Sequence, residues 1–214
     1  EFRRVLFRST AYGSNNSDLG TGKITLSVKS KTASSKFTDV TASNVGSWAA
    51  DSIDFCADND LVNGKSTYSF APKDNLTRGQ LVAILYRAAG SPSVTGTTNP
   101  FNDVKTGDYY YNAVLWAYKN DVVNGTGAGK FSPNANVTRE QIAAILYRYM
   151  GSPAATGSLS GYTDRSKISS WATTAMQWAI GKGYITGTSS TTLDPRGQAT
   201  RAQAAVMLHR FLTK

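Results

Sequence analysis

Apolar residues return at helical spacing in two kinds of segment, and each kind occurs three times along the chain. In the first kind, Ala49/Ile53/Cys56, Tyr110/Val114/Ala117 and Ala172/Met176/Ala179 stand at i, i+4, i+7, with Phe55, Trp116 and Trp178 widening the stripe. In the second, Leu81/Ile84/Leu85/Ala88, Ile142/Ile145/Leu146/Tyr149 and Ala204/Met207/Leu208/Phe211 stand at i, i+3, i+4, i+7. A single stripe of this period predicts a helix with one buried face. Every second segment opens on Thr-Arg-x-Gln, at Thr77–Gln80, Thr138–Gln141 and Thr200–Gln203. This is a capping box. Thr accepts from the third helical N–H, Gln reaches back to the cap N–H, and each cap is worth about 1 kcal/mol. Gly90 and Gly151, followed by Pro92 and Pro153, stop the first two of these helices.

The marks between the stripes keep the same register. Trp48, Tyr109 and Trp171 precede Gly64, Gly125 and Gly187; then come Phe70, Phe131 and Leu193, and Pro72, Pro133 and Pro195. The blocks 48–90, 109–151 and 171–213 align without a gap. A lead-in motif stands before each: Phe37-Thr38-Asp39, Phe101-Asn102-Asp103 and Tyr162-Thr163-Asp164. Such self-similarity marks a repeat architecture. The reading is mainly α, with three helix-loop-helix repeats at 37–96, 97–157 and 158–214. The Gly turns are expected to end each first helix at positive φ.

Residues 1–36 read differently. Glu1–Ser9 resembles an adapter scar, and 10–22 is rich in Ser, Asn, Gly and Thr. Lys23–Lys29 alternates polar and apolar, which is strand periodicity. The segment is read either as the last strand of a missing upstream β domain with its linker or as a disordered leader. The chain's charge of +9 is concentrated there, with +5 in residues 1–36 and +4 in the rest. The repeats are thus only mildly basic, which argues against nucleic acid as the partner. No apolar run reaches the roughly 18 residues that a membrane helix needs, so no membrane insertion is expected. Cys56 is the sole cysteine and His209 the sole histidine. No disulfide, cysteine zinc site or histidine metal cluster is therefore expected, and no cofactor. Cys56 aligns with Ala117 and Ala179 as a small core residue, and His209 with Tyr86 and Tyr147 at an aromatic, structural position. No phosphate loop or Ser/His/Asp set is present. A catalytic centre breaks internal symmetry by using unlike residues, so the chain is not expected to be an enzyme.

Phe-x-Asp-Val, an aromatic-led helix, Leu-Val-Asn-Gly, Phe-x-Pro and Thr-Arg-x-Gln together resemble the S-layer homology (SLH) domain in three copies over residues 37–214. Gln stands where the family has Glu in its Thr-Arg-Ala-Glu motif, and Tyr109 where it has Trp. The resemblance implies a pseudo-threefold assembly that anchors a larger exported protein noncovalently to the Gram-positive cell wall. The implied partner is secondary cell wall polysaccharide, often pyruvylated, held in grooves between adjacent repeats at the cell surface.

Under that reading, Arg78, Arg139 and Arg201 are candidates to grip the sugar carboxylate. Each opens a helix, where N–H groups and the dipole favour an anion. Trp48, Tyr109 and Trp171 stack on the sugar or pack on the core. Asp39, Asp103 and Asp164 accept sugar hydroxyls, cap the first segment or orient the Arg. Gly64, Gly125 and Gly187 offer backbone N–H groups or only make the turn. The arginines are expected to face solvent, so that their removal spares the fold. The other readings are a helical-repeat protein scaffold and an enzyme acting on wall glycan.

Overall fold

A computed structural model describes residues 33–214. The readings of Glu1–Ser9 and of a strand at Lys23–Lys29 lie outside the described residues. Within them the chain forms α1 (Gly46–Asp58), α2 (Arg78–Ala88), α3 (Tyr111–Lys119), α4 (Arg139–Tyr149), α5 (Thr173–Gly181) and α6 (Arg201–Thr213). Two 3₁₀ turns, Arg165–Lys167 and Ser170–Ala172, precede α5. Extended pairing among the described residues is limited to isolated bridges.

Each second helix starts where its capping box predicts, with both reciprocal hydrogen bonds formed at Thr77/Gln80, Thr138/Gln141 and Thr200/Gln203. The predicted stripes are buried in one continuous core, Phe55 and Tyr149 only partly. The first helices begin less uniformly. Trp48 lies inside α1, Tyr109 precedes α3, and Trp171 sits in a 3₁₀ turn.

The first helices also end earlier than the Gly turns. Chain reversal falls on Asp60, Asp121 and Gly183, all in the left-handed region. Gly125 has φ +79°, but Gly64 and Gly187 do not have positive φ. There glycine is required by close approach instead. A Cβ would stand 2.3 Å from Ser66 O at Gly64 and 2.2 Å from Ser189 O at Gly187.

The helices do not pair within repeats. α2 packs on α3, α4 on α5, and α6 returns to α1. Each lobe therefore joins the second helix of one repeat to the first helix of the next, and the last lobe closes the ring. At the centre, Leu76 N–H donates to Ala199 O, Ala199 N–H to Val137 O, and Val137 N–H to Leu76 O, each at 2.9 Å. This cyclic exchange is the pseudo-threefold axis, and it cannot form in one repeat alone. Ser34 and Ser35 bind the Asp54 carboxylate on α1, so the end of the expected linker is part of the first repeat.

Candidate functional site

The ring positions each candidate in one of three equivalent clefts. The construction starts from the lead-in aspartates. Asp39 accepts from the N–H groups of Phe70 and Ala71 at 2.8 and 2.7 Å. Asp103 accepts from Phe131 and Ser132, both at 2.8 Å. Asp164 accepts from Leu193 and Asp194 at 2.9 and 2.8 Å. Ala71, Ser132 and Asp194 are left-handed, with φ of 56°, 58° and 50°. That turns two consecutive N–H groups toward one carboxylate. Burial pushes these carboxyls up, but the backbone donors outweigh it, and all three lie below their ordinary value. These aspartates cap the later loop of their own repeat, a role that the sequence reading did not include.

The carbonyls of the same loops receive the arginines of the preceding repeat. Arg78 Nε donates to Phe131 O at 3.0 Å, Arg139 Nε to Leu193 O at 2.8 Å, and Arg201 Nε to Phe70 O at 2.8 Å. Arg139 and Arg201 also donate from Nη2 to Thr186 O and Asn63 O. Arg78 and Arg201 lie over the rings of Phe131 and Phe70, 4.8 and 4.5 Å from the centroids. Contrary to the sequence expectation, the arginines are buried, with 6%, 3% and 7% exposure. Burial lowers all three guanidinium pKa values, yet they remain cationic. Asp and Arg are thus linked through a shared peptide rather than by a direct ion pair.

The helix N-termini are also used differently from the expectation. The first two N–H groups of α2 donate to Ala135 O and Pro133 O, those of α4 to Gly197 O and Pro195 O, and those of α6 to Asp74 O and Pro72 O. The third is held by the capping Thr. The first-turn donors that would hold an anion are therefore already paired with the next repeat.

Trp48, Tyr109 and Trp171 are 53%, 65% and 55% exposed, open faces rather than core. Tyr109 reaches Thr77 and senses the charges of Arg87 and Arg201, and burial of part of its ring raises the phenol. It therefore stands on the rim of the cleft between repeats 3 and 1. In the repeat register Trp171 and Trp48 correspond to Tyr109, with Arg78 and Arg139 corresponding to Arg201. The N–H groups of Gly64, Gly125 and Gly187 find no acceptor among the described residues. Each cleft thus presents cationic nitrogen at its floor, an open backbone donor beside it and an aromatic face at the rim. A sugar ring stacks on such a face, and its acidic or hydroxyl substituents match the donors.

The sequence matches the S-layer homology domain three times, at residues 36–82, 100–143 and 161–205. The chain belongs to the S-layer homology family. SLH domains are surface-anchoring modules, which places the chain at the cell surface. It is 31% identical to an amylopullulanase of Thermoanaerobacterium thermosulfurigenes, over 78% of this chain and 9% of that protein. It is 28% identical to the surface-layer 125 kDa protein of Lysinibacillus sphaericus, over 78% of this chain and 14% of that one. With a cellulosome-anchoring protein of Acetivibrio thermocellus it shares 24% identity over 68% of this chain and 34% of the relative. The chain therefore spans a minor part of these proteins' length. The enzyme relatives are matched through their SLH region, so their likeness carries no catalytic reading.

Sequence reasoning missed a second set of arginines. Arg87, Arg148 and Arg210 follow the motif arginines at a constant nine positions, in the last turn of each second helix. That register was readable in the same alignment. It also missed Glu140, buried in the second repeat, which accepts from Ser169 N and Oγ at 2.9 and 2.8 Å. Its counterparts Gly79 and Ala202 carry no such group, so only the contact reveals its role. His209 is structural, stacked on Phe55 at 4.1 Å and bonded through Nδ1 to Ser52 Oγ at 3.0 Å.

Proposed function

We propose that this SLH ring holds a larger exported protein on the Gram-positive wall by binding secondary cell wall polysaccharide noncovalently, with a pyruvylated sugar in the inter-repeat clefts. The observation that carries the reading is the threefold recurrence of one composite cleft, in which a buried arginine, an open glycine N–H and an exposed aromatic come from different repeats. A cleft assembled between repeats serves a ligand that contacts several of them. Several moderate sites on one polymer lengthen residence through effective concentration. The surface-layer and cellulosome-anchoring relatives bear names consistent with this role.

The experiment is sedimentation of the protein with purified cell walls before and after their polysaccharide is extracted. The expected outcome is retention on intact walls and loss of most binding after extraction. Equal retention on extracted walls refutes the polysaccharide reading and favours a protein scaffold. Release of reducing sugar during incubation would instead favour an enzyme.

A further inference from the structure

The three clefts are built to one plan but are not filled alike. Between repeats 2 and 3, Arg139 donates to Leu193 O and Thr186 O, and Arg210 Nη1 donates to Thr186 Oγ1 at 3.1 Å. Between repeats 3 and 1, Arg201 donates to Phe70 O and Asn63 O, and Arg87 Nη1 donates to Leu61 O at 3.0 Å. In both clefts the arginine pair is occupied by the protein's own loop. Between repeats 1 and 2 it is not. Arg78 makes its Nε bond to Phe131 O alone, and its terminal nitrogens, like the whole of Arg148, donate to no described residue.

Electrostatics separates the clefts in the same way. After burial, the groups that act on Arg139 are the carboxylates of Asp194 and Asp164, and those on Arg201 are Asp74, Tyr109 and Asp39. On Arg78, the like charge of Arg148 comes ahead of Asp103. A second cation acting on a guanidinium that is only 6% exposed is unfavourable in a medium of lowered dielectric unless an anion joins them. Arg148, half-buried, also borders a hollow of about 310 Å³. Asp121 borders the same hollow without forming an ion pair with it.

We propose that the cleft between repeats 1 and 2 is this chain's dominant oxyanion site, with Arg148 joining Arg78 in gripping a charged substituent of the wall glycan. The inference rests on the polysaccharide reading above and narrows it to one cleft and one added residue. An oxyanion there accepts from Arg78 and Arg148 together, relieving their repulsion. In the other two clefts it must first displace loop carbonyls or share their donors, which weakens binding there.

The test is titration of the full chain with solubilised wall polysaccharide in three forms: native, depyruvylated and dephosphorylated. Arg148→Gln is expected to weaken binding of the native glycan about tenfold or more. Arg87→Gln and Arg210→Gln should stay within about twofold of wild type. Removing the relevant acid, pyruvyl or phosphate, should abolish the difference between Arg148→Gln and wild type, and it names the source of the anion. Helical circular dichroism checks the fold of each variant. Wild-type affinity in Arg148→Gln, an equal loss in Arg87→Gln, or a difference that survives removal of both acids overturns the inference while leaving the anchoring reading intact. A wild-type chain that binds no form of the glycan refutes the anchoring reading itself.

Discussion

Truncating the three motif arginines to alanine should destabilise the ring, and by unequal amounts that follow from their contacts. Arg201→Ala loses the bond to the buried Phe70 carbonyl, the contact over the Phe70 ring and the bond to Asn63 O. A charge-assisted bond to a buried acceptor contributes about 1.5–3 kcal/mol. The ring contact adds about 0.5–2 kcal/mol. The Asn63 carbonyl, on an exposed residue, can rehydrate and adds little. The expected loss is about 2–5 kcal/mol. Arg139→Ala loses the bond to the Leu193 carbonyl and one to Thr186 O on an exposed residue that can rehydrate, with no aromatic partner at that position, for about 1.5–3 kcal/mol. Arg78→Ala loses one bond and one ring contact, offset by relief from Arg148, for about 1.5–3 kcal/mol. Equilibrium urea unfolding at neutral pH reads the order directly. With a slope of about 2 kcal/mol/M, the Arg201→Ala midpoint should fall by about 1–2.5 M and the others by about 1 M. Losses under about 0.5 kcal/mol for all three, or Arg78→Ala as the most damaging, would refute the argument that these arginines tie neighbouring repeats together. Glycan affinity should rank the opposite way, with the Arg78 cleft mattering most for binding and Arg201 for stability.

Stability should also fall in acid. Asp39, Asp103 and Asp164 have folded values below the ordinary 3.8. Their contribution is fully present above that pH and is lost as pH falls from it through the folded values; urea midpoints measured from pH 6 to pH 2 should show the decline, and Asp39→Asn with Asp103→Asn should flatten it. Gly64→Ala should cost about 1–3 kcal/mol, because its Cβ meets backbone oxygen at 2.3 and 2.6 Å. Gly90→Ala, with open space around it, should cost only about 1 kcal/mol for its left-handed backbone. Equal thermal midpoints for the two variants would contradict the close-approach account.

The capping boxes at Thr77, Thr138 and Thr200 and the stripes that follow them were legible in the sequence because both depend on local spacing: a cap joins residues three apart, and a stripe reports one helix's period. The repeat register was legible for the same reason. The repeat alignment also placed Cys56 in the core and gave His209 a structural role, since they aligned with small and with aromatic residues in the sister repeats. What the sequence did not show was how the repeats exchange partners. Arg78 looked like a surface cation because its acceptor, the Phe131 carbonyl, lies in another repeat and is a backbone atom with no residue signature. The first-turn N–H groups looked open for an anion until the ring supplied carbonyls from Pro133, Pro195 and Pro72. The inequality of the three clefts is further still from local pattern. Arg87, Arg148 and Arg210 are identical in sequence register, and only the packed ring decides that two of them find acceptors while Arg148 does not. Helix period and capping are short-range and are written in neighbouring side chains. Burial, charge coupling and backbone acceptors across an interface arise only when segments more than 50 residues apart are brought into contact.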